Sequence, residues 1–482
     1  MKTVVVVGAG LAGLTAALEL VDKGFQVTVI DAAGRAGGKA GSDRDAAGIM
    51  RDHGMHIFPG WYANLRGVLA RIGVAECLID HDHVAYLSRG KYPDIRILKE
   101  SSSWRNNVHN LLRGPLPWYR NALYFYFLLD LAGQHFDKRR FLDQVSETGL
   151  LYARWYRDEE VARFCQANIL HAASVNADEV SAMSWQRVVR NWLSAPSPFF
   201  SIVRGSLQDA IIDPFVRVLR DKGVAFELGR TVTKLDVAGG RVAGVRWGSS
   251  AGPGVSVADR YVVAAPLEVV GRLVDDDVYA AAPDLGEVHR LQAEPMSGFY
   301  IDLADKIPGL GSSFCFLVGS QYGLSIIDTT PEAATSALSV VVSDFGPMRS
   351  LSPGLIERLV LAELREYLPI PAASVVRTAL HDNADTPLYI NTAGSWADRP
   401  GTRTQIPNLY LAGDYCRNPT DLATMEGAVV SARIAARELG HDEGVALAGP
   451  DVPREMSPFL LRLLVRLSAP IMVIPWLRAR FG

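Results

Sequence analysis

Residues 4–13 read VVVVGAGLAG, and this stretch constrains the fold more than any other. Four consecutive valines predict a short strand buried on both faces, as in the interior of a parallel sheet. Gly8, Gly10 and Gly13 follow in G-x-G-x-x-G spacing, and LTAALELVDKG continues as a helix. Gly8 permits the tight strand-to-helix turn, Gly10 lets a pyrophosphate approach the backbone, and Gly13 lets the helix pack closely on the strand. Ala9, Leu11 and Ala12 complete the turn. The helix N-terminus there offers free N–H groups and the positive end of its dipole to phosphates. The same glycine spacing also occurs in ordinary turns, so the flanks carry the argument. A second strand, QVTVI, ends at Asp31, 18 residues after Gly13. An acidic side chain there accepts from the ribose hydroxyls of an adenosine. The segment predicts a dinucleotide site.

Beyond Asp31 the chain reads AAGRAGGKAGS, starting at Ala32. Arg35, Gly37, Gly38 and Lys39 make a second glycine-rich turn. Glycines let the backbone lie against a ligand, and Arg35 neutralises a phosphate. The cluster stands directly behind the ribose-binding acid, where the rest of a cofactor has to pass. Two such turns in succession point to FAD rather than NAD.

Composition excludes several other classes. The net charge is -3, from 49 Lys+Arg and 52 Asp+Glu, so no basic surplus predicts nucleic-acid binding. Cys77, Cys165, Cys315 and Cys416 are scattered without C-x-x-C spacing. A disulfide framework is therefore not expected, and a reducing cytoplasmic compartment fits. The valine run is too short for a signal-peptide core. No run of about 18 uncharged apolar residues is present, so no spanning helix is expected.

Residues 52–62 read DHGMHIFPGWY. As metal ligands, His53 and His56 lack partners nearby in sequence, so no metal is expected. The longer segment GMHIFPGWYANLRGVLARIGV resembles the matching stretch of plant- and cyanobacterial-type carotene desaturases, members of the flavin amine oxidase superfamily. The resemblance implies that His53, Gly54, Met55 and His56 lie in the loop against the isoalloxazine ring. His53 departs from the family pattern, which leaves room for a different substrate.

The implied fold class is α/β plus α+β. A Rossmann-type FAD-binding domain is assembled from discontinuous segments, beside a substrate domain of mixed sheet and helices. The pieces are read as 1–84, 204–275 and 406–440 for the cofactor, 85–203 as a helical insert, 276–405 as the substrate domain, and 441–482 as an amphipathic tail. In the insert, WYRNALYFYFLLDLAG is nearly continuous apolar surface, read as a buried helix or a lipid-facing one. APSPFF marks a loop boundary. The strands GRTVTKL and VVAAP are ordinary by composition, but the resemblance places an adenine contact at Val232 and a return to the cofactor at Ala265. The region 276–405 shows no charged cluster of catalytic spacing.

The stretch LYLAGDYCRNPTDLATMEGAVVSARIAA is the second anchor. A strand closes on Gly413, and Asp414 follows where a carboxylate accepts from ribityl hydroxyls. A helix then starts at Met425, Glu426 and Gly427, with Ala428 next. Its free N–H groups are suited to negative charge on a reduced flavin. This stretch too resembles the desaturases. The tail carries Arg462, Arg466, Arg478 and Arg480 among apolar residues, with Pro470 and Pro475 expected to break it. That composition suits an interfacial anchor on anionic lipid at 456–482, with docking on the protein as the other reading.

A single G-x-G-x-x-G argues against NADPH as reductant and for a quinone or O2 as electron acceptor. The resemblance implies hydride transfer from a substrate C–H to the flavin and formation of a C=C bond on an isoprenoid or carotenoid-like molecule. His53 and His56 are the candidate proton acceptors, since imidazole titrates near neutral pH. Three other readings stand beside it: an amine oxidase or tailoring dehydrogenase on a polar substrate, a non-redox flavin-dependent isomerase, and a flavin-binding regulator without turnover.

Overall fold

The valine run forms the strand Thr3–Val7 at the centre of a five-stranded sheet. The computed structural model describes residues 2–134, 139–194, 197–311, 313–330, 332–452 and 456–481. The sheet runs Ala225–Leu228, Gln26–Asp31, Thr3–Val7, Arg260–Val263, Leu409–Leu411, with every neighbour parallel. Three stretches far apart in sequence thus build one layer. Side-chain alternation splits the valines between two cores. Val4 and Val6 pack with Ala16 and Ala17 of helix Leu11–Val21 and with Ala432, Ala435 and Ala436 of helix Met425–Asp442. Small residues on both helices let them approach closely. Val5 and Val7 face the opposite side, toward Leu235, Val242 and Val245 of a three-stranded antiparallel sheet spanning 231–256. Each valine so buried contributes on the order of 1.5–3 kcal/mol relative to exposure.

A second, mixed sheet of seven strands stands beside the first. Its order is Val375–His381, Ser297–Leu303, Ala337–Val342, Leu324–Asp328, Cys315–Val318, His83–Ser88, Arg96–Lys99. Helix Pro353–Leu364 covers one face through Ile356, Val360 and Leu364. Helices Trp118–Ala132, Glu159–Ala173 and Ala182–Ser194 cover the other.

Two expectations need correction here. The stretch from residue 85 does not begin as helix. His83–Ser88 and Arg96–Lys99 are the last two strands of the second sheet. Val84 and Tyr86 face the helical layer while Ala85 and Leu87 face the other core, a period of two and not 3.6. In the APSPFF segment residues 195–196 lie outside the described residues, and Phe200–Val203 is a strand paired with Phe58–Pro59 and Leu78–His81.

The second correction concerns the tail. Helix Pro458–Phe481 runs through both Pro470 and Pro475 without breaking. Proline removes an N–H bond and crowds the preceding turn. The carbonyls that lose an N–H are those of Arg466 and Ile471, and packing on Trp118–Ala132 holds the helix together; Tyr126 reaches across from that helix to donate to the Val465 carbonyl at 3.1 Å. One flank docks on Trp118–Ala132, with Leu461 buried and Arg462 Nε donating to the Gly133 carbonyl at 2.9 Å. Leu460, Leu464, Leu467, Ile471 and Ile474 on the other flank are exposed. By length and composition this helix is also apolar enough to cross a membrane. The sequence reading missed that because Arg462 and Arg466 interrupt the run.

Glu147, wholly buried in the helical layer, opens the helix Glu147–Tyr152. The weak thiol donor of Cys165 is beside it, and neither carboxyl oxygen takes a stronger hydrogen bond among the described residues. Burial pushes the carboxyl from 4.5 up to about 8. The folded chain therefore holds a proton that the unfolded chain has already released. The protonated form is fully compatible with folding below about pH 4.5, and stability is lost as pH rises toward 8, by up to about 1.4 kcal/mol per pH unit. Chemical denaturation between pH 5 and 8 should show this slope in the wild type and its loss in Glu147→Gln.

Candidate functional site

The glycine motif divides by what each glycine touches. Gly8 has φ +109°, and a Cβ there would sit 2.5 Å from the Ala264 carbonyl oxygen. A Cβ on Gly13 would sit 1.9 Å from the Gly8 carbonyl oxygen. The protein's own packing requires both. Gly10 is different: a Cβ there would meet nothing closer than 3.9 Å. Its missing side chain leaves space that the fold does not fill, beside the helix end. Gly10 occupies the cap position of helix Leu11–Val21 and supplies no side-chain acceptor, and no acidic residue stands in the first turn. The N–H groups of Leu11, Ala12 and Gly13 therefore keep their positive potential for a phosphate.

The second glycine turn folds directly over the first. Gly37 donates its N–H to the Ala9 carbonyl at 2.9 Å, and Gly10 and Gly37 form an isolated parallel bridge. Gly38, with φ +56°, would bring a Cβ to 3.1 Å from the Gly10 Cα. Asp31 ends its strand beside them. One carboxylate oxygen accepts from the Ala9 N–H at 2.6 Å and the other from the Ala33 N–H at 2.7 Å, just past Ala32. A carboxylate has about four acceptor sites, so capacity for ribose hydroxyls is left. The Asp31 carbonyl takes the Arg230 N–H at 2.8 Å, which brings Val232 to this end of the sheet. Ala264 donates to the Val7 carbonyl at 2.7 Å and sets Ala265 beside Gly8. Three chain segments thus meet at this end of the sheet.

Lys39 donates to the Pro387 carbonyl and lies 3.5 Å from Glu268. Arg35 pairs with Asp43. Asp414 stands at the end of strand Leu409–Leu411; burial pushes its carboxyl upward, against the opposing charges of Lys39 and Arg399. The Gly413 N–H donates to Ser431 Oγ at 2.9 Å. Helix Met425–Asp442 is capped by Thr424, whose Oγ1 accepts from the Gly427 N–H at 3.0 Å. That leaves the N–H groups of Met425 and Glu426 without a helical acceptor, in front of Ala428.

The Glu426 side chain has a different task. Its carboxylate accepts from the Asn64 N–H at 2.9 Å, Asn64 Nδ2 at 2.8 Å and the Leu65 N–H at 2.8 Å. It caps the helix Ala63–Arg71 and so joins the N-terminal and C-terminal cofactor segments. Only its backbone faces the proposed ligand region.

Between the two sheets lies the loop 53–56. Gly54 is buried, 3.8 Å from Met296 for a Cβ, with Met55 half-buried next to it. His56 Nδ1 lies 2.7 Å from the Gly54 carbonyl oxygen and can only donate to it, which leaves Nε2 as the acceptor of a neutral ring. Burial lowers the His56 pKa, with Asp52 opposing. His53 faces elsewhere: Nε2 is 3.0 Å from Asp43 Oδ2, and its ring stacks on His381 with centroids 4.3 Å apart.

Three contributors escaped the sequence reading. Asp43 and His381 carry no motif, and only the fold brings them to His53. Arg399, 1 % exposed, donates to the carbonyls of Tyr415 at 2.9 Å, Asp414 at 3.0 Å and Cys416 at 2.7 Å, and to Asp421. This one guanidinium shapes the loop that carries Asp414. A lone arginine in a loop offers no local pattern to find it by.

The cradle makes a direct test of its purpose. Gly10→Val should fold, since the added atoms enter open space, yet lose bound flavin on gel filtration. Gly13→Val should fail to fold, because its Cβ collides with backbone.

Comparison with known proteins gives the family. The family model described as flavin containing amine oxidoreductase matches residues 11–440. The 15-cis-phytoene desaturase of Narcissus pseudonarcissus is 24% identical over 469 residues, covering 91% of this chain and 79% of that protein. The zeta-carotene desaturase of Capsicum annuum is 24% identical over 485 residues, covering 90% and 80%. Among solved structures, the cyclohexylamine oxidase of Brevibacterium oxydans superposes with a TM-score of 0.66 at 16% identity, covering 92% of this chain and 99% of its own. FAD fits the open space at Gly10, the two unsated helix ends and the paired glycine turns, and it is the cofactor. The chain belongs to the flavin containing amine oxidoreductases and is an FAD-dependent oxidoreductase.

Proposed function

We propose that this enzyme desaturates a long apolar polyene of the carotenoid type at a membrane surface, passing the electrons on to a quinone or O2. The observation that carries the reading is the union, in one molecule, of the flavin cradle with an apolar surface at helix Pro458–Phe481. An open apolar groove of about 420 Å³ runs along that helix where it meets Trp118–Ala132, lined by Trp118, Phe125, Leu129, Ile471, Met472 and Pro475. Such a volume falls within the range of roughly 300–1,000 Å³ that small-molecule sites occupy. The names of the phytoene and zeta-carotene desaturases, similar along nine-tenths of the chain, support the same substrate class.

The docked flank of Pro458–Phe481 favours lying in the interface over spanning it, since lipid reaches only the outer side. Arg466, Arg478 and Arg480 add attraction for anionic headgroups. A cytoplasmic enzyme bound to a membrane in this way takes its substrate from the bilayer.

Bound FAD supplies the acceptor for the hydride. The chain's own task is to orient the substrate, exclude water and receive one proton. His56 suits the last role. Its Nδ1–H is held by the Gly54 carbonyl, its Nε2 lone pair is available, and its depressed pKa keeps it neutral at pH 7. Lys39, Asp414 and the N–H groups at Met425 hold the cofactor's other end in place.

Liposomes loaded with phytoene or zeta-carotene and a short-chain quinone test the activity. The FAD-loaded protein should generate longer-wavelength polyene bands. Peroxide release from amines with no change in any polyene would replace this reading with the amine oxidase one. His56→Ala should lower kcat by about 10²–10⁴ with FAD retained. The acid limb of the wild-type profile should fall below the ordinary histidine value of 6.5. Leu467→Asp with Ile471→Asp should abolish co-sedimentation with anionic vesicles and leave the flavin spectrum unchanged.

A further inference from the structure

Three metal-competent side chains meet where the hairpin behind the second glycine turn touches the substrate sheet. Asp43 lies on the strand Ser42–Arg44, His53 follows the paired strand Met50–Asp52, and His381 ends the strand Val375–His381. One donor atom from each lies within 4.8 Å of the other two. We propose that Asp43, His53 and His381 form a site for a divalent transition-metal ion of the zinc type, which clips the flavin-facing loop to the substrate sheet.

The donor set is the first argument. Two imidazoles and one carboxylate suit zinc and its neighbours, and open positions remain for water or a fourth ligand. Position is the second. His53 Nε2 and Asp43 Oδ2 are already 3.0 Å apart. A tetrahedral ion with bonds of about 2.0–2.1 Å holds its ligands roughly 3.3 Å apart. His381 is stacked on His53 with ring centroids 4.3 Å apart, so binding requires it to turn out of that stack until both imidazoles point at one ion.

Surrounding contacts orient the ligands in the way metal sites require. Arg35 engages Asp43 through Oδ1, and Oδ2 stays turned to the histidines. Asn383 bonds the His381 ring and donates from Nδ2 to the His53 carbonyl at 2.8 Å. The His53 N–H donates to the Gly41 carbonyl at 3.2 Å. Backbone on both sides of the pair is thus tied down. His56 takes no part, so the ion sits apart from the proposed proton acceptor.

Calorimetric titration of untagged, chelator-washed, FAD-loaded protein with ZnCl2 tests the site. One equivalent should bind, and His53→Gln, His381→Gln and Asp43→Asn should each weaken binding by at least about tenfold. His441→Gln, at an exposed position, should bind as the wild type does. Zinc-edge X-ray absorption of the wild-type complex should show two imidazoles, a readout that needs no variant to fold. Binding that survives both histidine substitutions, absorption without imidazole scattering, or no binding heat would each overturn the proposal. None of these readouts uses turnover, so the desaturase reading stands or falls separately.

Discussion

The cofactor domain depends on one backbone-on-backbone contact. Helix Leu11–Val21 approaches its own strand so closely that a methyl group at Gly13 would overlap the Gly8 carbonyl. That approach aims the helix end at the space beside Gly10 and buries both faces of the helix. It also lets Met425–Asp442 cross over alanines, which brings the C-terminal segment home. The return of Arg260–Val263 beside Thr3–Val7 follows, because the Ala264 carbonyl occupies the place where a Gly8 side chain would be.

Buried charge organises the rest. Arg399 and Glu426 each lie almost without solvent, and each has several hydrogen bonds spread over backbone groups. A buried ion is tolerated when its donors and acceptors are met. Both residues join segments: Arg399 bends the loop that bears Asp414, and Glu426 anchors the helix Ala63–Arg71 that follows the loop 53–56. Glu147 is the contrast. It lacks such partners, keeps its proton, and ties the stability of the helical layer to pH.

Much of the fold was legible from local rules. The valine run, the glycine spacing and Asp31 obey geometry that acts over a few residues, and they predicted a parallel layer with a nucleotide-binding edge. The second sheet was expected only as part of a mixed substrate domain over 276–405. His83–Ser88 was missed because its four central residues are all apolar, so its alternation between two cores is invisible without both cores. The continuous tail helix was missed because a proline penalty is a local rule, and tertiary contacts from Tyr126 and the docked helix outweigh it. The candidate site divides in the same way. Glu426 was picked out correctly as lying at a helix start, but the destination of its side chain depends on Asn64, distant in the chain.

By itself, then, the amino-acid sequence determined a glycine turn shaped for a dinucleotide, since that shape is written in residues whose φ angles and lack of Cβ act locally. It also determined an apolar, arginine-flanked terminus. Tertiary structure alone decided which histidine is turned toward Asp43 and His381 and which is held at the Gly54 carbonyl. The physical reason is separation: the Asn383 side chain that fixes the His53 carbonyl lies 330 residues along the chain, and only the packing of one sheet against the other brings them within a hydrogen bond.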